Sequence, residues 1–336
     1  MTFDTAAPAM NNVLANPPGQ DMSRMIRHVA SRAKNDVPAD VAERVASMIP
    51  AFDTAVAGQP PAPLTIVIFH IKLPEEHRKI DYVDIEGDQG SIDYVDVLKH
   101  NFFIARAFNP NSRIIYITGE GDDTSFVPDH VITVRLPLQP KWLMYERVVA
   151  MSAFMESEAY ASHTVFLDSD AFPNWHLGRV FLLSFDIGVT FRDTPGLMPV
   201  NEGVIFAAHR PGLKARNFFK RYLATYETLC LDQPIIDYYK DIKRWRGGQL
   251  SLNATVAATG VLSDLHQRDI AGANVRYLHC NDYNFTIVDG VKYSSDLLRR
   301  KYVLHLKGPV KSMVQTIAQF QKKRIADELQ TLGELK

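Results

Sequence analysis

Apolar positions along this chain alternate between two periods. Met22, Met25, Ile26 and Val29 recur at helical spacing, and a second short helix is expected from Pro38 to Met48. The stretch 51–63, AFDTAVAGQPPAP, reads as a proline-rich break that neither a helix nor a central strand tolerates, and so as the link into the main domain. Beyond it, Leu64 to Phe69 (LTIVIF) is a β-branched run of the buried-strand type. A helix is expected over 92–108, with Val95, Leu98, Phe102 and Ala105 on one face and Asn109-Pro110-Asn111 as its stop. Strands follow at 113–118 and 130–136, then a long amphipathic helix at 141–161 and a fourth strand at 164–167. Strand and helix alternating at this rhythm predict an α/β fold, a mostly parallel sheet covered on both faces.

The second half is more mixed. Strands are expected at 185–191 and 203–208, around a turn at Thr194-Pro195-Gly196, with helices over 213–229 and 249–258. Two late strands fall near 275–278 and 302–305. From Ser312 onwards the pattern is an amphipathic helix, with Val314, Ile317, Ile325 and Leu329 inside and Lys322-Lys323-Arg324 outside. A basic helix of this kind reads first as a solvated face and second as a membrane-surface contact. The chain thus divides into a helical extension (1–60), a main domain (61–311) and a C-terminal helix (312–336). The extension is expected to pack on the main domain.

Composition narrows the class. Among 336 residues, 46% are apolar and 22% charged, which excludes wholesale disorder. Basic residues (37) nearly balance acidic ones (38), so there is no basic excess to hold nucleic acid. Cys230 and Cys280 stand in no metal spacing, and the first residues lack a basic-then-apolar leader pattern, so a reducing cytoplasm is expected. The longest apolar stretch, 180–190, carries Asp186 in its middle, and no membrane span is expected.

The sharpest chemistry is Asp168-Ser169-Asp170, directly after the fourth strand. Ligands of open α/β sheets bind at the carboxyl ends of strands. Residues two apart in an extended segment point the same way, which aims both carboxylates into one crevice. Two like charges that close call for a cation, and Mn²⁺ or Mg²⁺ suits oxygen ligands. Near the end of the chain, His305-Leu306-Lys307-Gly308-Pro309-Val310-Lys311 offers an imidazole for the ion, a glycine for close backbone approach and an ammonium for phosphate oxygens. Asn201-Glu202-Gly203-Val204 places an amide and a carboxylate ahead of a buried strand, a spot suited to sugar hydroxyls. Gly247-Gly248-Gln249-Leu250-Ser251-Leu252-Asn253 reads as a loop entering a helix, with Gln249 near its N-terminus.

Taken in order, these four motifs resemble nucleotide-sugar glycosyltransferases of the GT-A fold, and most closely the retaining glycosyltransferase family 8 pattern. The resemblance spans about 64–311. Two positions depart from it: Gly248 stands where family members commonly carry Asp, and Ser312-Met313 where Pro-Trp often follows the last Lys. The resemblance implies that Asp168, Asp170 and His305 hold Mn²⁺ or Mg²⁺. It further implies that Gly308 and Lys311 hold the diphosphate, with Asp168 also near the ribose. Gln249 would lie near the anomeric carbon, Asn201 at donor or acceptor hydroxyls, Arg147 against the donor and His70 by the nucleotide base.

The expected reaction moves a sugar from a nucleotide-diphosphate donor, UDP-sugar first, to a carbohydrate or other hydroxyl acceptor with retention. An inverting enzyme would instead need a carboxylate base, Glu202 first and Asp241 second. A metal-dependent nucleotidyltransferase or phosphohydrolase stays open as a different chemistry for the same carboxylates, and a non-catalytic binding module is a third alternative. Dinucleotide-binding and P-loop readings fail, because the turn after the first strand lacks glycines and no Gly-Lys-Ser/Thr loop occurs. The patterns leave oligomeric state open.

Overall fold

A computed structural model of the chain describes residues 22–73, 94–192, 198–239, 242–244, 246–257, 267–288, 290–306 and 313–334. Two helices, α1 (Met22–Arg32) and α2 (Ala39–Val56), precede the sheet. A β/α alternation follows: β1 (Leu64–Phe69), α3 (Tyr94–Phe108), β2 (Arg113–Gly119), β3 (Val131–Leu136), α4 (Leu143–Glu156) and β4 (His163–Asp168). The short β5 (Ala171–Pro173) leads to β6 (Ile187–Phe191) and β7 (Val200–Ala207). Three helices come next, α5 (Lys214–Cys230), α6 (Gln233–Tyr239) and α7 (Gly247–Val256), and then β8 (Gln267–Ile270) and β9 (Ala273–His279). The chain closes with α8 (Cys280–Tyr283), β10 (Phe285–Ile287), α9 (Ser295–Arg299), β11 (Val303–Leu306) and α10 (Val314–Glu334).

The main sheet runs β3-β2-β1-β4-β7-β6-β9-β8. Its first four strands are parallel, as the β/α rhythm predicts, and β7 joins β4 antiparallel. Beyond that seam β6 pairs β7 antiparallel and β9 parallel, so the sheet is mixed. A second, three-stranded sheet (β10-β11-β5) lies beyond the end of β4, with His305 of β11 opposite Ala171 of β5. That register returns the late strand to the carboxyl end of β4.

The structure corrects the sequence reading in three places. Helix α2 continues through Pro50 to Val56, so the break begins only after it. Pro50 and Ala46, whose carbonyl loses its partner, are both exposed to water, and buried Phe52 packs edge-on against Phe154 at 5.7 Å. Helix α4 ends at Glu156 and is buried on every residue from Tyr145 to Met155 rather than amphipathic, because α2 packs against it and shares one core with it. Arg324 of α10, expected outside, is 2% exposed. Its guanidinium lies 4.9 Å from the Phe108 ring and 4.6 Å from that of Trp175, and Nη1 donates to the Asn174 carbonyl at 2.7 Å. The turn expected at 194–196 lies outside the described residues. No described helix is long and apolar enough to cross a membrane.

Several polar contacts cross from the extension into the main body, among them His28 to Asp232 at 2.8 Å and Arg44 to Glu146. Glu146 is fully buried on α4, and Arg44 Nη2 of α2 donates to its two carboxylate oxygens at 2.6 and 2.5 Å. Burial pushes the Glu146 carboxyl up, against the pull of Arg44. Substituting Arg44→Ala leaves a buried carboxylate without its cation and is expected to cost about 3 kcal/mol in urea unfolding at neutral pH. The deficit should narrow as pH falls toward 5, since protonated Glu146 needs no cation. A pH-independent deficit would contradict this account of the pair.

Candidate metal and ligand site

The site forms where the carboxyl end of β4 meets the second sheet. Asp168 is the last residue of β4, paired in register with Phe69 of β1, and Asp170 precedes β5. His305 of β11 enters beside them. Its Nε2 lies 3.2 Å from Asp170 Oδ1 and 3.8 Å from Asp168 Oδ2. One ligand atom from each of the three residues falls within 4.8 Å of the others, the only such group of three or more among the described residues.

Hydrogen bonds decide which face of the imidazole meets the carboxylates. Asn201 Oδ1, an acceptor only, receives the Gly203 N–H at 3.0 Å and the Asn284 Nδ2 amide at 2.7 Å. The same Asn284 amide donates to Thr190 Oγ1 at 3.0 Å, and the Thr190 hydroxyl donates to the Asn201 carbonyl. With its NH₂ fixed on that side, Asn284 turns its oxygen to His305 Nδ1 at 2.8 Å. Nδ1 must therefore carry a proton, and in the neutral ring Nε2 presents a lone pair to the two carboxylates. Three lone-pair donors facing one another are the donor set of a divalent cation, with the far ring nitrogen held as it is in metal-bound histidines.

The space is reserved in the backbone as well. A Cβ at Gly203 would sit 2.4 Å from His305 Cε1 and 2.8 Å from Asp168 Oδ2, so any side chain there fills the cradle. The residues present fit a divalent metal.

Arg147 projects from the second turn of α4 into the same cluster, with Nη2 3.0 Å from Asp168 Oδ1 and 2.9 Å from the Glu202 carbonyl. Although burial opposes charge on the guanidinium, the surrounding anions Asp168 and Glu202 raise its pKa. Glu202 is buried, and its Oε2 accepts from the Tyr222 hydroxyl at 3.0 Å. Burial and the Glu202 charge hold the Tyr222 phenol well above its usual range, so it stays a donor. Its one proton is shared between Glu202 and the Gly248 carbonyl at 2.9 Å.

The predicted residues thus largely converge. Asp168, Asp170, His305, Arg147, Asn201 and Glu202 form one cluster. Half-buried Gln249 sits in the first turn of α7, one residue after Gly248, whose backbone lies against the Glu202 carboxylate. His70 follows β1 at the strand end next to Asp168, its ring stacked 4.7 Å from that of Tyr94. Gly308, Lys311 and Asp241 lie outside the described residues.

Sequence reasoning missed the supports. Asn101 of α3 donates its amide to the Ser169 and Ala171 carbonyls at 3.0 and 3.1 Å, clamping the loop that carries the carboxylates. Its signal was present, a polar residue three positions after Leu98 on an otherwise apolar face. Asn253 pins α7 to β7 through both backbone groups of Val200, at 2.9 and 2.8 Å. Asn284 had no readable signal.

No protein-family model matches the chain, and no curated protein does. Several solved structures are similar to it. The galactosyltransferase LgtC, solved with donor and acceptor sugar analogues, shares 12% identity over 77% of this chain and 95% of that one, with a TM-score of 0.42. A glycosyltransferase involved in glycosylation of the PBCV-1 major capsid shares 12% over 76% and 100%, with a TM-score of 0.43. GlyE of Streptococcus pneumoniae TIGR4 shares 10% over 80% of this chain and 64% of that one, with a TM-score of 0.46. All three are glycosyltransferases, the class the motifs resemble. These likenesses are distant, and what the site does follows from its own geometry.

Asn284→Ala removes the acceptor that fixes the imidazole. Isothermal titration with Mn²⁺ should then show affinity about 10- to 100-fold weaker, with Asn284→Asp retaining more of it. Unchanged affinity in the alanine variant would show that the ring needs no such partner.

Proposed function

We propose that this chain is a divalent-metal-dependent glycosyltransferase that moves a sugar from a nucleotide-diphosphate donor, UDP-sugar first, to a hydroxyl group of a carbohydrate or other acceptor. The observation that carries the reading is the His305 Nε2 lone pair, held toward Asp168 and Asp170 at the strand-end crevice with the Arg147 guanidinium alongside. Asp168, Asp170 and His305 hold the ion, Mn²⁺ or Mg²⁺. When bound, it supplies Lewis-acid stabilisation of negative charge on a departing diphosphate.

The chain's own residues do the rest. Arg147 adds a fixed positive charge that needs no reorganisation as the leaving group gains charge. Lys311 and Gly308 are assigned to the diphosphate oxygens, and His70 to the base, on the motif resemblance. Gln249 and Asn201 orient the transferred sugar and acceptor. We place the reaction among retaining transfers, in which the acceptor hydroxyl attacks from the leaving group's own face and a phosphate oxygen takes its proton. No protein nucleophile is needed. The nucleotidyltransferase alternative asks for more carboxylates around the ion than the candidate metal group offers, since among the described residues that group contains two. A cytoplasmic setting fits the low cysteine content, two in 336 residues.

The test is a panel of UDP-, GDP- and ADP-sugars incubated with Mn²⁺ or Mg²⁺, with and without chelator, reading nucleotide diphosphate release. One donor should be turned over only with metal. Asp170→Asn and His305→Ala should each lower the rate at least about 100-fold while circular dichroism stays native. Absence of nucleotide diphosphate binding across the panel, or pyrophosphate release from nucleoside triphosphates instead, overturns the proposal.

A further inference from the structure

Two of the three candidate metal ligands rest on very short strands. Asp170 immediately precedes β5 and His305 is the third residue of β11, so the β5–β11 pairing sets the spacing between them. That ladder holds three residue pairs, from Val303 opposite Pro173 to His305 opposite Ala171. At the ligand end the Leu306 N–H closes it on the Asp170 carbonyl at 3.0 Å. So short a pairing is marginal by itself, and its register needs support from outside.

Helix α10 provides that support. The pleat turns His305 toward the aspartates and Leu304 and Leu306 the other way, into a core shared with Phe172 of β5 and with Val314 and Ile317 of α10. At the far end of the ladder, buried Asn174 ties the two strands together. Its N–H donates to the Tyr302 carbonyl at 2.7 Å, and its amide to the Leu298 and Lys301 carbonyls at 2.8 and 2.9 Å. Carbonyls only accept, so Asn174 Oδ1 must face the other way. There the amide of Gln321, fully buried on α10, donates to it and to the Pro173 carbonyl, both at 3.1 Å. Gln321 Oε1 is thereby turned to His100 of α3, whose Nε2 donates to it at 2.8 Å. The next residue of α3 is Asn101, which clamps the aspartate loop.

Each bond in this chain fixes the orientation of the next. Three hydrogen bonds roughly offset the cost of burying the Gln321 amide, and what they add is a unique geometry. We infer that Gln321 is a positioning residue of the metal site: from a helix beyond the span of the motifs, it holds the β5–β11 register and with it the distance between Asp170 and His305. This rests on the reading of Asp168, Asp170 and His305 as metal ligands and adds to it the C-terminal helix as a working part of the site.

The experiment separates positioning from stability. Calorimetry well below the melting transition measures the Kd for Mn²⁺ in wild type, Gln321→Ala, Gln321→Met and Val29→Ala, with thermal melting followed in parallel. Gln321→Met fills the same volume without the amide and guards against a variant that fails to fold. Val29→Ala removes buried volume from the large core under α1, remote from the small sheet, and serves as a destabilised control. The expected result is Mn²⁺ affinity about tenfold weaker in both Gln321 variants and within about twofold of wild type in Val29→Ala. Excess Mn²⁺ should bring the transfer rate of the Gln321 variants back to within about twofold of wild type, a split between metal constant and rate that lost stability does not produce. Wild-type Mn²⁺ affinity in both Gln321 variants overturns the inference, as does equal weakening in Val29→Ala or a rate that excess Mn²⁺ fails to restore. Each of these leaves the metal site standing. A wild-type protein that binds no Mn²⁺ takes down both.

Discussion

Two carboxylates and an imidazole lone pair turned toward one another repel unless a cation lies among them, and this constraint organises the rest of the protein. Asp168 and Asp170 share one stretch of chain and His305 comes from a strand more than 130 residues later, yet their ligand atoms sit within 4.8 Å of each other. Without the ion, Arg147 at 3.0 Å from Asp168 offsets part of the carboxylate charge, and so dense a set of ligand groups at a strand end marks a functional feature of the fold.

What holds the cluster is a layer of amides. Asn101 clamps the loop between the two aspartates, Asn253 fixes α7 against β7, and Asn284 sets the tautomer of His305 while bonding Asn201 and Thr190. Arg147 links the aspartate side of the site to Glu202. One residue before it, Glu146 faces the other way and is gripped by Arg44 of the N-terminal extension. The helix that delivers the site's arginine is thus pinned from outside by residues that the motif resemblance does not reach. The extension is part of what positions the site.

Much of this was legible in the chain. The β-branched runs located β1, β2 and β4 to within a residue or so, because buried parallel strands must be apolar on both faces. The ligand set was visible because metal chemistry restricts residue types, and a strand end restricts place. Helix α4 was misread because its outer face looked solvent-directed; nothing local shows that α2 covers it. Arg324 was misread for a related reason. Its charge suggests solvent, but its long stem and planar head pack between Phe108 and Trp175. The Asn284 relay and the Glu202–Gly248 approach were invisible, since both join residues tens of positions apart through contacts only tertiary structure creates. The small strands β5, β8 and β10 are too short to leave a period.

The most direct test of the shared cation is anomalous diffraction at the manganese edge from crystals grown with Mn²⁺. The account predicts one strong peak bonded to oxygens of Asp168 and Asp170 and to Nε2 of His305, with Nδ1 still facing the Asn284 carbonyl oxygen. A manganese peak elsewhere with none at this triad, or a His305 ring turned so that Nδ1 meets the aspartates, would contradict it.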